Sequence, residues 1–152
     1  MDISSIQVCN ITKDDIVALV NYIYGSYFVL KIPDNLPDKF KDLIKDLKYK
    51  EDKIAAILLN GGSIIVSDKN VQSEDVYENY AADGIEAEYN EQDVCMDYKI
   101  SLKDIEAGLS RCTKGQPLYS LIEFTRGNFE QIDMYDMEIF LQMILFGELI
   151  YG

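Results

Sequence analysis

Apolar residues at Ile16, Val17, Leu19, Val20, Ile23 and Tyr24 recur at helical spacing. Thr12 precedes them as an N-cap, and Asp14 and Asp15 place carboxylates in the first turn, where the helix dipole favours them. The pattern predicts a first helix ended by Gly25. Residues 27–32 are apolar and β-branched enough for a short strand, with a helix extension as the alternative. Pro33 and Pro37 bracket a turn, and Pro37 suits the first position of a second helix whose stripe is Phe40, Leu43, Ile44 and Leu47. A third helix is expected over 51–59, stopped by Asn60-Gly61-Gly62, before a central strand at Ile64-Ile65-Val66.

Residues 68–83 read as polar, acidic and irregular, with a helical turn around 76–82. The period then changes to two. Ile85, Ala87 and Tyr89 alternate with Glu86, Glu88 and Asn90; Val94, Met96, Tyr98 and Ile100 alternate with Cys95, Asp97 and Lys99. That alternation predicts an antiparallel hairpin with one buried face, turning at 90–93. Ser101 caps an expected helix over 102–111 with Ile105 and Leu109 inward. Gly115-Gln116-Pro117 reads as a loop, and residues 118–124 fit either a strand or a helix. Asp133 caps a last helix over 134–146 that is apolar almost all round, Asp136, Glu138 and Gln142 excepted. A helix of that kind is buried centrally or shared with a partner. The fold class is α+β: a small antiparallel sheet near residues 63–100, packed with helices from both ends of the chain. At 152 residues a single domain, 1–152, is expected.

Charge sharpens the picture. The chain holds 27 acidic and 14 basic residues, net −13, with 48% apolar residues to form a core. Ten carboxylates and one base, Lys69, lie between Asp68 and Asp97, whereas the stretch from Lys31 to Lys53 is nearly neutral. On the expected hairpin, Glu86 and Glu88 share the solvent face about 6.7 Å apart, two residues of strand rise, and Asp97 joins them from the partner strand. DNA carries a phosphate per strand about every 3.4 Å of helix axis, so a fixed carboxylate row suits a Lys- and Arg-lined groove. The candidate partner-binding residues are therefore Asp83, Glu86, Glu88, Glu91, Asp93 and Asp97, with Glu74, Asp75 and Glu78 as an extension. A solvated acidic face that only keeps the protein soluble is the competing reading.

Catalytic signals are weak. Histidine is absent, which removes His-based triads and HExxH zinc sites. Asp83 with Asp97-Tyr98-Lys99 loosely matches a metal nuclease. The acid-x-Lys pattern recurs at Asp46-Leu47-Lys48 and Glu51-Asp52-Lys53, and so dense an acidic segment repels an anionic substrate. Asp133-x-x-Asp136 lacks the further ligands of a calcium loop. Cys9, Cys95 and Cys112 are too widely spaced for zinc or redox pairs, although Arg111 and Lys114 beside Cys112 favour a lowered thiol pKa. No catalytic residue, metal or cofactor is expected, and the chain is read as a non-enzyme. The N-terminal Met1-Asp2-Ile3-Ser4 lacks the pattern of a signal peptide, and the longest apolar run, 54–59, is far short of the roughly 20 residues of a membrane span. A cytoplasmic protein without direct nucleic-acid or membrane contact is expected.

The ending Gln142-Met143-Ile144-Leu145-Phe146-Gly147-Glu148-Leu149-Ile150-Tyr151-Gly152, with Asn60-Gly61-Gly62-Ser63-Ile64 and the strand–helix at 98–109, resembles a family of small acidic proteins encoded in bacteriophages and mobile elements of Gram-positive bacteria. Its members end in an LFGE-x-x-YG tail. The resemblance implies a phage or prophage setting, and in that setting an anti-restriction or anti-CRISPR inhibitor that mimics DNA toward a host defence protein. The alternative is a non-enzymatic interaction module acting through its apolar C-terminal helix, by which a homodimer could also form.

Overall fold

The computed structural model describes residues 10–23, 26–70 and 80–151. Gly25, Cys9 and most of the expected helical turn at 76–82 lie outside them. The architecture is α+β: six α-helices among the described residues and a four-stranded, wholly antiparallel sheet. In chain order the elements are α1 (Lys13–Asn21), β1 (Phe28–Lys31), α2 (Asp38–Ile44), α3 (Lys50–Leu59), β2 (Ser63–Asp68), β3 (Glu86–Asn90), β4 (Cys95–Ser101), α4 (Leu102–Ser110), α5 (Gly115–Thr125) and α6 (Met134–Leu145). A 3₁₀ turn, Phe129–Gln131, precedes α6.

Helix starts are set by local chemistry. Thr12 Oγ accepts from the Asp15 amide at 3.2 Å while the Asp15 carboxylate accepts from the Thr12 amide at 2.9 Å. Asp133 and Asp136 form the same reciprocal pair at α6, and Asp104 accepts from both the amide and hydroxyl of Ser101 at α4. Each box satisfies amides that the first turn leaves without partners. Gly61, with φ +86° after α3, takes the left-handed conformation that releases the chain into β2.

The strand order is β1-β2-β4-β3. The segment at 27–32 is thus an edge strand, and the sheet begins well before residue 63. The stretch expected to be a loop at 115–117 is instead the first turn of α5, and 118–124 continues it as helix. Pro117 is tolerated there because a first-turn amide has no helical acceptor to lose. Val94, expected inside, has φ +51° and is exposed, because it belongs to the hairpin turn. Asp68, expected in the loop, ends β2 and is fully buried.

The core lies between the inner sheet face (Phe28, Leu30, Ile64, Val66, Met96, Tyr98, Ile100) and the helices, α6 above all. From Asp136 to Leu145 every residue of α6 is buried. Gly108 of α4 makes that closeness attainable, because a Cβ there would overlap the Ile144 backbone. Burying each large apolar side chain contributes about 1.5–3 kcal/mol. The three polar residues of α6 are each tied to a different segment. Asp136 accepts from Ser120 at 2.6 Å and Gln116 at 3.3 Å, both on α5. Glu138 accepts from Ser26, just before β1, at 2.6 Å. Gln142 Oε1 accepts from the Ile150 and Tyr151 amides, each at 2.8 Å. Met134 and Tyr135, in the first turn of the helix, are exposed, and the helix is buried from Asp136 onward.

The tail folds back onto the core. The Tyr151 ring packs against Tyr27, Phe28 and Phe146, and its hydroxyl donates to Asp68 at 2.5 Å. The Asn70 amide donates to the same carboxylate. Burial pushes the Asp68 carboxyl above its ordinary value of 3.8, and these two hydrogen bonds only partly offset it.

Two outcomes follow. Truncation after Leu149 removes the Tyr151 ring and leaves Gln142 and Asp68 short of donors. It should cost about 3 kcal/mol or more in urea unfolding, because loss of a packed aromatic and of buried hydrogen-bond partners both contribute. The raised Asp68 pKa means that stability is fully present below the unfolded-state value and is lost as pH rises through the folded one. Asp68→Asn should therefore lose stability relative to wild type at pH 4 and recover in relative terms by pH 7. Parallel unfolding curves that do not change with pH would contradict it.

Candidate functional site

The outer sheet face carries Val29 and Lys31 from β1, Ile65 and Ser67 from β2, Cys95, Asp97 and Lys99 from β4, and Glu86 and Glu88 from β3, since side chains alternate along each strand. The register places Glu88 opposite Asp97 and Glu86 opposite Lys99. Glu86, Glu88 and Lys99 are exposed, while Asp97 is half-buried. Two shallow depressions shape the face. One, of about 460 Å³, is bordered by Asn35, Ile65, Glu86, Glu88, Asp97 and Lys99. The other, of about 530 Å³, lies over Lys31, Ser67, Lys69, Asp93, Val94 and Cys95.

Asp97 is the hub of this face. It accepts from Ser67 Oγ at 2.5 Å, from Asn90 Nδ2 at 3.3 Å and from Cys95 Sγ at 3.4 Å. Lys31 Nζ reaches across β2 to within 3.5 Å of it. Burial alone would raise its pKa, but the Ser67, Asn90 and Cys95 hydrogen bonds and the Lys31 charge together hold it below the ordinary carboxylate value. Asn90 also bridges to the turn, where its side chain accepts from the Asp93 amide at 3.0 Å and donates to the Asp93 carboxylate at 3.3 Å.

Of the nine acids named from sequence, the fold brings Glu86, Glu88 and Asp97 onto one face and ties Asp93 to it through Asn90. Glu91 is exposed in the same turn, and Asp83 is exposed in the turn before β3, at the opposite end of the strand. Glu74, Asp75 and Glu78 lie outside the described residues. Cations interrupt the carboxylate row: Lys99 faces Glu86 and Lys31 engages Asp97, so the exposed acids cluster along the β3 edge and its turns. Lys31 and Ser67 were not singled out from sequence. The pairing of β2 with β4 sets Ser67 directly opposite Asp97, thirty positions away in sequence, and the pairing of β1 with β2 brings Lys31 within reach across β2.

Among the described residues no group of three or more cysteine, aspartate and glutamate side chains is placed to hold a metal ion. Among them, too, no helix is long and apolar enough to cross a membrane. The Cys112 expectation is overturned. The thiol is buried, 3.8 Å from the Gly108 carbonyl, and burial pushes its pKa up to about 12 despite Arg111. Cys95 is also raised, by burial first and then by Asp97.

Comparison of the chain with family models, curated proteins and solved structures returns no match.

Thiolate, not thiol, is the nucleophile. At pH 8, native Cys95 and Cys112 should therefore resist iodoacetamide and react only after denaturation. Peptide mapping by mass spectrometry reads each site, and rapid native labelling of Cys112 would show that it is not shielded.

Proposed function

We propose that the chain is a non-enzymatic binding protein that presents its acidic hairpin to a Lys- and Arg-lined surface. In its finer form, it is a phage- or mobile-element-encoded inhibitor that occupies the nucleic-acid cleft of a host defence protein, of the restriction or CRISPR type, by mimicking DNA. One observation carries this reading: Glu86 and Glu88 project from a rigid edge strand on the same exposed face, with Glu91 and Asp93 at its turn. Fixed carboxylates form charge-assisted hydrogen bonds to guanidinium or ammonium groups without first losing the entropy of a mobile loop. The Gram-positive phage setting rests on the tail resemblance. Asp97 contributes chiefly by anchoring the hairpin to β1 and β2, since its lone pairs are already engaged. An interface through α6 is not favoured, because that helix is buried within the chain.

Glu86→Lys together with Glu88→Lys alters two exposed positions and should leave the fold intact. In a Gram-positive host with an active restriction or CRISPR system, the wild-type chain should raise phage plating efficiency at least tenfold, and the double variant should not. Duplex DNA should displace the captured defence protein from the immobilised chain. Capture indifferent both to DNA and to the double reversal would refute the reading.

A further inference from the structure

Away from the hairpin, the turn from α4 into α5 passes beside the C-terminal end of α6 and the tail. Between them lies a groove of about 590 Å³, within the roughly 300–1,000 Å³ typical of small-molecule sites. Its walls are largely apolar, formed by Pro117, Met143 and Leu149, with Arg111, Lys114 and Glu148 as the charged groups. Leu149 is 48% exposed, yet it cannot turn away freely, because the next two amides are held by Gln142.

Both walls are pre-formed. Arg111 Nη1 donates to the Met143 carbonyl at 2.8 Å, which joins the turn to the end of α6. The turn itself is closed by Cys112 N to Leu109 O at 3.1 Å and Thr113 N to Arg111 O at 2.9 Å. A site that is already ordered loses little entropy when it binds. Its charge balance runs against that of the molecule. In a chain of net −13, two cations face one carboxylate here, and neither Arg111 nor Lys114 has an ion-pair partner among the described residues. The excess of one positive charge matches a monoanion, while a dianion would meet Glu148. The start of α5, which has no side-chain cap, adds the positive end of a helix dipole.

We propose that this groove binds a small amphipathic carboxylate, an acyl chain of medium length whose hydrocarbon lies on Pro117, Met143 and Leu149 and whose ionised end meets Arg111 and Lys114. Since no acid of the hairpin takes part, this site stands or falls independently of the function proposed above.

The test is calorimetry of the full chain with decanoate and with decyltrimethylammonium, both below their micellar concentrations. Saturable one-to-one binding of decanoate is expected, at least tenfold weaker in Lys114→Glu and in Leu149→Asp, with no saturable binding of the cationic amphiphile. Methyl NMR of the unsubstituted chain reads the same site without depending on the variants: Met143 and Leu149 resonances should shift together as decanoate is added. Absence of saturable decanoate binding, equal affinity for the cation, or shifts confined to other parts of the chain would overturn the proposal.

Discussion

The structure depends on one helix that is buried from its third residue to its last. From Asp136 to Leu145, α6 is buried on every side, so each polar group it carries must find a partner inside the protein or cost about 1–3 kcal/mol. Asp136, Glu138 and Gln142 meet that demand by binding α5, the approach to β1, and the tail in turn. An apolar helix alone would fix the amount of burial but not its orientation. Three hydrogen-bonding side chains at different positions along it select one rotation and one depth. The carbonyl end is closed in the same way, by Arg111 on Met143 and by the Ala82 amide on Leu145 at 2.7 Å. Arg111 and Ala82 border the tail at Gly147, so the segment leading into the hairpin is joined to the core at the point where α6 ends.

That arrangement decides which surfaces remain for function. The inner sheet face is consumed by the core, whereas the outer face keeps its charged residues at the surface. Magnitudes then sort the acids. At physiological salt, charges are screened beyond about 8 Å, so Glu86 and Glu88, about 6.7 Å apart along the strand, act as one local source. Asp97 is different: hydrogen bonds and Lys31 have already stabilised its charge, and a partner gains little by competing for it. An exposed ion pair contributes only about 0–1 kcal/mol, so in the binding role proposed above the hairpin carboxylates would act more through steering and register than through raw affinity.

Much of this was legible in the sequence, for reasons that differ by element. Caps and period-two alternation are local signals, so Thr12, Asp133 and the hairpin are recovered nearly residue for residue. The error at Val94 is also local: counting a strand backwards from Met96 passes through the turn residue that sterics push to positive φ. Pro117 misled because proline usually breaks helices, although in a first turn it breaks nothing. Non-local facts were out of reach. No spacing rule announces that Lys31 will cross β2 to Asp97, that Cys112 will be sealed behind Gly108, or that one carboxylate of an acidic run, Asp68, will be withdrawn to meet Tyr151.

The tail shows how a short terminal segment can encode fold rather than contact. Phe146 sets its ring edge-on to Tyr98 and near Phe28, joining α6 to the sheet. Gly147, at φ +75°, makes the turn that a side chain would strain. Tyr151 then returns to the aromatic cluster and presents its hydroxyl to Asp68. Phe146, Gly147 and Tyr151 thus have structural work inside this chain, while Glu148 and Leu149 between them stay exposed. The ending from Phe146 to Tyr151 acts in this chain as the lock of its last helix, through ring packing and the hydrogen bonds to Gln142 and Asp68. On the function proposed above, the contact to a partner lies elsewhere, at the β3 edge, where Glu86 and Glu88 are exposed and take no part in that lock.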